Sequence, residues 1–137
     1  MADANEQFLS THEYLQDLGI EIVSQREGYV QLRLPHKESL TNPGSDVIQG
    51  GAIATLIDHG GGAAIRTTLE KPLEMKHAST ELNVSYIRPA TGDLLADATV
   101  TISGRTRGVV DVDVTTETPD GPKSVAVGRV SLHLDRG

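Results

Sequence analysis

The apolar and polar residues change their period along the chain, and the changes mark its elements. From Ala52 to Leu69 the spacing is helical and the composition nearly all apolar. At about 100° per residue, Ile53, Leu56, Ile57, Gly60, Ala63 and Ala64 share one face, and Thr55, His59, Gly62 and Arg66 share the opposite one. Such a helix is roughly 27 Å long at about 1.5 Å per residue. Asp58 falls between the faces, beside Ala54, Gly61 and Ile65. A carboxylate flanked by small apolar residues on a mostly buried helix is unfavourable unless something uses it. Gly60, Gly61 and Gly62 each cost about 1 kcal/mol relative to Ala in a helix interior. Either the helix breaks there, or a neighbour approaches so closely that only hydrogen fits.

The flanking segments are shorter and alternate. Leu9 to Leu18 reads as a short helix, capped by Ser10 or Thr11 and ended by Gly19. Ile20 to Ser24 and Tyr29 to Leu34 alternate around Glu27-Gly28, a hairpin signal. Pro35 to Ile48, with Pro43-Gly44, is a loop that delivers the chain to the glycines before the long helix. Lys71-Pro72 stops that helix, and His77 to Arg88 alternates again, Ser79, Glu81, Asn83 and Ser85 against Thr80, Leu82, Val84 and Tyr86. A turn over Pro89 to Asp93 follows, then strands over Leu94 to Ser103 and Val109 to Thr116, a turn at Thr118 to Gly121, and a last strand over Ser124 to Leu134. Strands joined by short connections pair antiparallel. One curved antiparallel sheet wrapped around one helix is the simplest way to bury a helix apolar on most of its circumference, so the fold class is α+β.

Composition narrows the chemistry. A chain of 137 residues predicts one domain, spanning 1–137. It has no cysteine, which removes disulfides, thiolate zinc sites and a cysteine nucleophile. No run approaches the ~18 apolar residues of a membrane span, and Met1 to Glu6 is polar and acidic, so a soluble cytoplasmic protein without a membrane partner is expected. The net charge of −7 argues against a nucleic-acid partner. Aromatic residues are only 3%, so the core must be built from Val, Ile, Leu and Ala. His12, His36, His77 and His133 are scattered without metal-ligand spacing, and neither a metal nor a cofactor is predicted.

Two segments together resemble a known family. Gly50-Gly51 followed by six residues and Asp58 is similar to the His-Gly-Gly and Asp signature of hotdog-fold acyl-CoA thioesterases of the PaaI (phenylacetic acid degradation) type. Asn83-Val84-Ser85-Tyr86-Ile87-Arg88-Pro89-Ala90 with Gly92 looks like the family's later strand and turn, and the likeness runs from about Val47 to Leu134. Two positions depart from the pattern. Gln49 stands where the usual His precedes the glycines, and keeps a donor and an acceptor without titrating. Asn42, seven residues before Gln49, is one out of register with an Asn that the family often carries.

The resemblance implies a hotdog fold and hydrolysis of acyl-CoA thioesters, with coenzyme A as part of the substrate. A glycine turn that opens a helix exposes unpaired N–H groups at the positive end of the macrodipole. The Gly50 N–H, with Gly51 beside it, would stabilise the oxyanion. Asp58 lies too far along the helix to serve the same thioester, and the family solves this with a dimer that takes the N–H from one subunit and the carboxylate from the other. Asp58 would act as general base on water or as nucleophile through a mixed anhydride. Ser79 sits where the family often has a Ser or Thr that holds the water or the carboxylate. Gln49, Gly51, Arg88, Arg105 and Arg107 would bind substrate, the arginines through coenzyme A phosphates. The glycine-rich helix middle suits close helix contacts in an assembly, so a homodimer pairing into a homotetramer is expected. His59 diverges from Asp58 by about 100° and is read as structural or interfacial, and Thr55 as a packing residue. A hotdog dehydratase or hydratase would need a His and acid in another motif. A non-catalytic acyl-CoA binder would keep Gly50 and the arginines but not need Asp58.

Overall fold

A computed structural model describes residues 3–135. Two short helices, α1 (Ala4–Ser10) and α2 (Glu13–Leu18), precede the hairpin β1 (Glu21–Arg26) and β2 (Tyr29–Leu34). A single 3₁₀ turn, Glu38–Leu40, interrupts the loop before α3 (Gly50–Arg66), and the strands β3 (Lys76–Tyr86), β4 (Leu94–Ser103), β5 (Arg107–Thr118) and β6 (Gly121–Asp135) complete the chain. All pairings are antiparallel, in the order β1-β2-β4-β5-β6-β3. The α+β hotdog arrangement follows, with α3 lying across one face of the sheet. Among the described residues no helix is long and apolar enough to cross a membrane.

The inward positions alternate as the patterns require. Val30, Leu32 and Leu34 of β2, Leu94, Ala96 and Ala98 of β4, and Val110, Val112 and Val114 of β5 are buried against Leu56, Ile57 and Ile65 of α3. Small residues beneath the helix let it sit close. The glycine run does not break α3, which is continuous through it. A Cβ on Gly61 would lie 2.7 Å from Cβ and Cγ2 of Val130 on β6, a separation that real side chains do not reach. A Cβ on Gly60 would meet Ala98 Cβ at 3.4 Å, ordinary contact. The close neighbour is therefore the chain's own sheet. Gly60, Gly61 and Gly62 are all buried within one chain, and they supply no separate argument for helix contacts between subunits.

The N-terminal region departs from the single helix expected over Leu9 to Leu18. Asp3 caps a first helix by accepting from the Glu6 N–H at 2.9 Å, Thr11 ends it, and a second begins after His12, which makes no side-chain cap bond. Gly19, at φ 87, ends α2 as the sequence predicts. The break lets α1 cover the C-terminal half of the polar face of α3. Buried Asn5 donates to the Ala63 carbonyl at 2.9 Å and accepts from Arg66 Nε at 2.8 Å. Phe8 stacks on His59, ring centroids 5.8 Å apart, and lies 4.0 Å beneath the Arg66 guanidinium. His59 and Arg66 are thus roofed over, although a helical wheel places them away from the sheet.

Two outcomes are expected. Gly61→Ala should lower stability by about 1–3 kcal/mol, because overpacking outweighs the helix propensity gained, whereas Gly60→Ala should be neutral or stabilising by up to about 1 kcal/mol. Thermal unfolding of the two variants checks this, and equal shifts would contradict it. Burial, then Arg66 and His12, pushes the pKa of His59 from 6.5 down to about 3. His59 stabilisation is therefore complete above the unfolded value and lost as pH falls from 6.5 toward 3. The slope is at most about 1.4 kcal/mol per pH unit. His77, also lowered by burial and by Arg66, acts in the same direction. Urea unfolding at about pH 7.5 and about pH 5.5 should show a loss of order 1 kcal/mol that shrinks in His59→Gln. A loss of the same size in both proteins would contradict this assignment.

Candidate functional site

Asp58 is half-buried on α3, and its Oδ1 accepts from Ser79 Oγ of β3 at 2.7 Å. The pairing depends on an irregularity that alternation does not reveal. In β3, Ser79 opposes Leu132 and Glu81 opposes Ser131, which leaves Thr80 as an extra residue, its Oγ1 donating to the Ser131 carbonyl at 3.2 Å. Val84 packs on the core and the Tyr86 hydroxyl reaches Gly50 on α3, so even-numbered positions face the helix in that half of the strand. The bulge at Thr80 reverses the parity, so that Ser79 and His77 face the helix as well. Bulges re-aim side chains beside functional sites in this way.

A cavity of about 290 Å³ opens beside this pair. Thr55, Asp58, His59 and Arg66 of α3 line it with His77 and Ser79 of β3, and Phe8, Tyr14 and Leu15 of the N-terminal helices form its roof. Tyr14 and Ser79 at one end are exposed, while His59, Gly62 and Arg66 at the other are buried. Tyr14 Oη and Thr55 Oγ1 lie 2.9 Å apart, and Thr55 also donates to the Gly51 carbonyl at 3.0 Å. Thr55, expected to pack, is instead a polar wall residue. Arg66 Nη1 lies 3.2 Å from His77 Nε2, and His77 Nδ1 lies 2.9 Å from the Met75 carbonyl. Burial lowers the pKa of Arg66 to about 10, so it remains a cation at neutral pH.

The α3 N-terminus forms a second element of the site. Gln49 is the N-cap residue, with Oε1 accepting from the Ala52 N–H at 3.2 Å. Its acceptor is therefore used locally. The N–H groups of Gly50 and Gly51 have no acceptor among the described residues, as expected for the first turn of a helix. The Tyr86 hydroxyl donates to the Gly50 carbonyl at 2.7 Å. Gly50 and Asp58 are separated by eight positions of α3, about 12 Å of helix rise. Within one chain they cannot contact the same carbonyl group.

The three arginines fall into two places. Arg88 is near the α3 N-terminus, since Ile48 N–H donates to Ala90 O at 2.8 Å and Tyr86 contacts Gly50; its Nη1 donates to the Ser124 carbonyl. Arg105 lies in the β4–β5 turn near Thr68, just beyond the α3 C-terminus, and Arg107 pairs across β6 with His133, which in turn faces Ala78. One chain does not bring the three together. Tyr14, Arg66 and His77 are cavity residues that sequence reasoning left without a role. A signal for Arg66 was present: it shares the polar stripe of α3 with Thr55, His59 and Gly62.

The model of the thioesterase superfamily matches residues 46–123. A candidate esterase of Halobacterium salinarum is 44% identical over 136 residues, covering 96% of this chain and 90% of that protein. Among solved structures, a thioesterase family protein from Silicibacter pomeroyi superposes with a TM-score of 0.89 at 22% identity, over 97% of this chain and 96% of its own. The E. coli PaaI protein from the phenylacetic acid degradation operon gives a TM-score of 0.81 at 22% identity, over 96% and 90%. With more than half of its length matched by the family model and a relative similar almost end to end, the chain belongs to the thioesterase superfamily, a family of thioester and ester hydrolases, and shares the hotdog fold of the PaaI protein.

Proposed function

We propose that the protein hydrolyses acyl-CoA thioesters to the free acid and coenzyme A, in a homodimer whose sites each combine Asp58 of one protomer with the Gly50 N–H of its partner. The observation that carries this reading is the Asp58 carboxylate held by Ser79 at 2.7 Å beside a cavity. In the general-base route Asp58 takes a proton from water, the hydroxide adds to the thioester carbon, and the carbonyl oxygen becomes an oxyanion on the Gly50 N–H. Collapse breaks the C–S bond, and the coenzyme A thiolate leaves and is protonated. In the nucleophilic route a carboxylate oxygen adds instead, and water hydrolyses the resulting anhydride. Ser79 orients the carboxylate in both.

The separation of Gly50 from Asp58 along α3 supports a site shared between protomers. So does β3, a sheet edge of 11 residues with Leu82 and Tyr86 exposed and Ile87 exposed just beyond it, because an unpaired edge strand is a natural pairing surface. In such a dimer Arg88 accompanies one protomer's Gly50, and Arg107, next but one to Ala78 in the sheet, accompanies the other's Asp58, with Arg105 farther off beyond the α3 C-terminus. Each site would then draw its coenzyme A phosphate contacts from both chains, with Gln49 and Gly51 lining the thioester end. Pairing of dimers into a tetramer completes the proposed assembly.

Coenzyme A release should be measured on a panel of short, medium, long-chain and aryl acyl-CoAs. Asp58→Asn should lower turnover of any hydrolysed member by about 100-fold or more, the scale of a positioned acid–base group. Ser79→Ala should lose on the order of tenfold, a hydrogen bond to a charged group being worth roughly 1.5 kcal/mol. Turnover that survives in Asp58→Asn would place the chemistry on another residue. A wild-type protein that binds coenzyme A esters without cleaving any would be a binder.

A further inference from the structure

The inner end of the cavity beside Asp58 is closed by a cation that the fold leaves without a counter-charge. Arg66 is 4% exposed. Its Nε donates to Asn5 and its Nη1 lies 3.2 Å from His77 Nε2, but Nη2 has no partner. Among the described residues no carboxylate lies within ion-pair distance of it. Asp58 lines the same cavity, yet its carboxylate is engaged by Ser79. His59, 7% exposed and in the same wall, also has an unpartnered nitrogen, Nε2. Contact with Asn5 and Phe8 explains why a long side chain stands at position 66. It does not explain a buried charge, which is strongly unfavourable when unpaired, nor two free nitrogens on residues lining one cavity.

The placement of the guanidinium sets a length. Gly62 lacks a side chain, and Arg66 folds back over it, so that a Cβ there would lie 3.2 Å from Nη1. Gly62 is one turn beyond Asp58, about 6 Å along the helix axis. An acyl group whose carbonyl is attacked beside Asp58 therefore meets the free donors after a short chain. A hydrocarbon or phenyl end would leave Arg66 Nη2 and His59 Nε2 desolvated without acceptors. A carboxylate would pair with Arg66 Nη2 and neutralise the buried cation, and would accept from His59 Nε2 in the tautomer that carries the proton there.

The geometry points to short ω-carboxyacyl-CoA thioesters as the substrate class: monothioesters of dicarboxylic acids of about four or five carbons, matching the ~6 Å span, whose free carboxylate sits on Arg66 Nη2 and His59 Nε2. This assignment rests on the thioesterase reading above and adds to it the chemistry of the acyl end. Sites built to bond a polar group discriminate strongly against analogues that lack it.

The test compares kcat/KM for glutaryl-CoA, its ω-methyl ester and valeryl-CoA. The wild-type protein should prefer glutaryl-CoA by about 100-fold over both neutral substrates. Arg66→Gln should erase the preference, and Arg66→Lys should restore part of it. Loss of packing alone would not change this ratio. Calorimetric binding of the non-hydrolysable thioether analogues of glutaryl-CoA and valeryl-CoA separates the two claims. Tighter binding of the glutaryl analogue without hydrolysis of any thioester would uphold the anionic acyl end and defeat the thioesterase reading. Equal or better hydrolysis and binding of the valeryl compounds would overturn the inference. If Arg66→Gln does not fold, the wild-type ratio decides.

Discussion

The contact between Gly61 and Val130 governs how closely α3 lies on the sheet, and the functional geometry depends on that distance. A side chain at position 61 would collide with the Val130 Cβ at 2.7 Å and force the helix outward. Asp58, three residues earlier on the same helix, would move with it, away from Ser79 on a strand whose one sheet neighbour among the described residues is β6. The helix-propensity penalty of the glycine run is thus exchanged for a close helix–sheet approach. The apolar layer of Leu, Ile, Val and Ala residues beneath α3 stabilises that approach without an aromatic core.

The same helix separates two kinds of chemistry along its length. At its N-terminus, backbone amides and the dipole favour developing negative charge on oxygen. Asp58 is one carboxylate, half-buried and hydrogen-bonded. Near the C-terminus, Arg66 lies over Gly62 beneath the roof made by Asn5 and Phe8. A carboxylate and a guanidinium thus line one cavity, neither neutralising the other. The N-terminal helices are therefore part of the site, since without α1 the guanidinium would be solvated and screened.

Much of this was legible in the residues. The long apolar stripe of α3, the alternation of β2, β4, β5 and β6 and the ending of α2 at Gly19 each follow from local rules, and the motif from Gly50 to Asp58 brought forward the residues at the centre of the proposed site. What was not legible depended on contacts distant in sequence. A helical wheel assigns His59 and Arg66 to a polar face, but only the packing of Asn5 and Phe8, more than fifty residues earlier, shows that face to be buried. Alternation along β3 placed Ser79 on the side opposite Val84, and the bulge at Thr80, visible only in its register with β6, reverses that. The break between α1 and α2 at Thr11 and His12 carries no glycine or proline to announce it. The glycines of α3 signalled a close approach without saying that the neighbour was the chain's own sheet.

The proposed hydrolysis requires a site assembled from Asp58 of one protomer and the Gly50 amide of its partner, and complementation between two inactive variants probes that requirement. Gly50→Pro removes the N–H where the backbone suits proline, at the first helical position with Gln49 before it already extended at ψ 137. Because any Cβ there would lie 3.2 Å from the Tyr86 ring, Gly50→Ala, which adds that contact and keeps the N–H, is the control and should stay active. Homodimers of Gly50→Pro and of Asp58→Asn should each be impaired by about 100-fold or more. Mixing them under conditions that exchange subunits should restore thioester hydrolysis to about one quarter of the wild-type rate, because half of the dimers are mixed and each has one intact site. Mixed dimers that form and regain no activity would contradict a shared site.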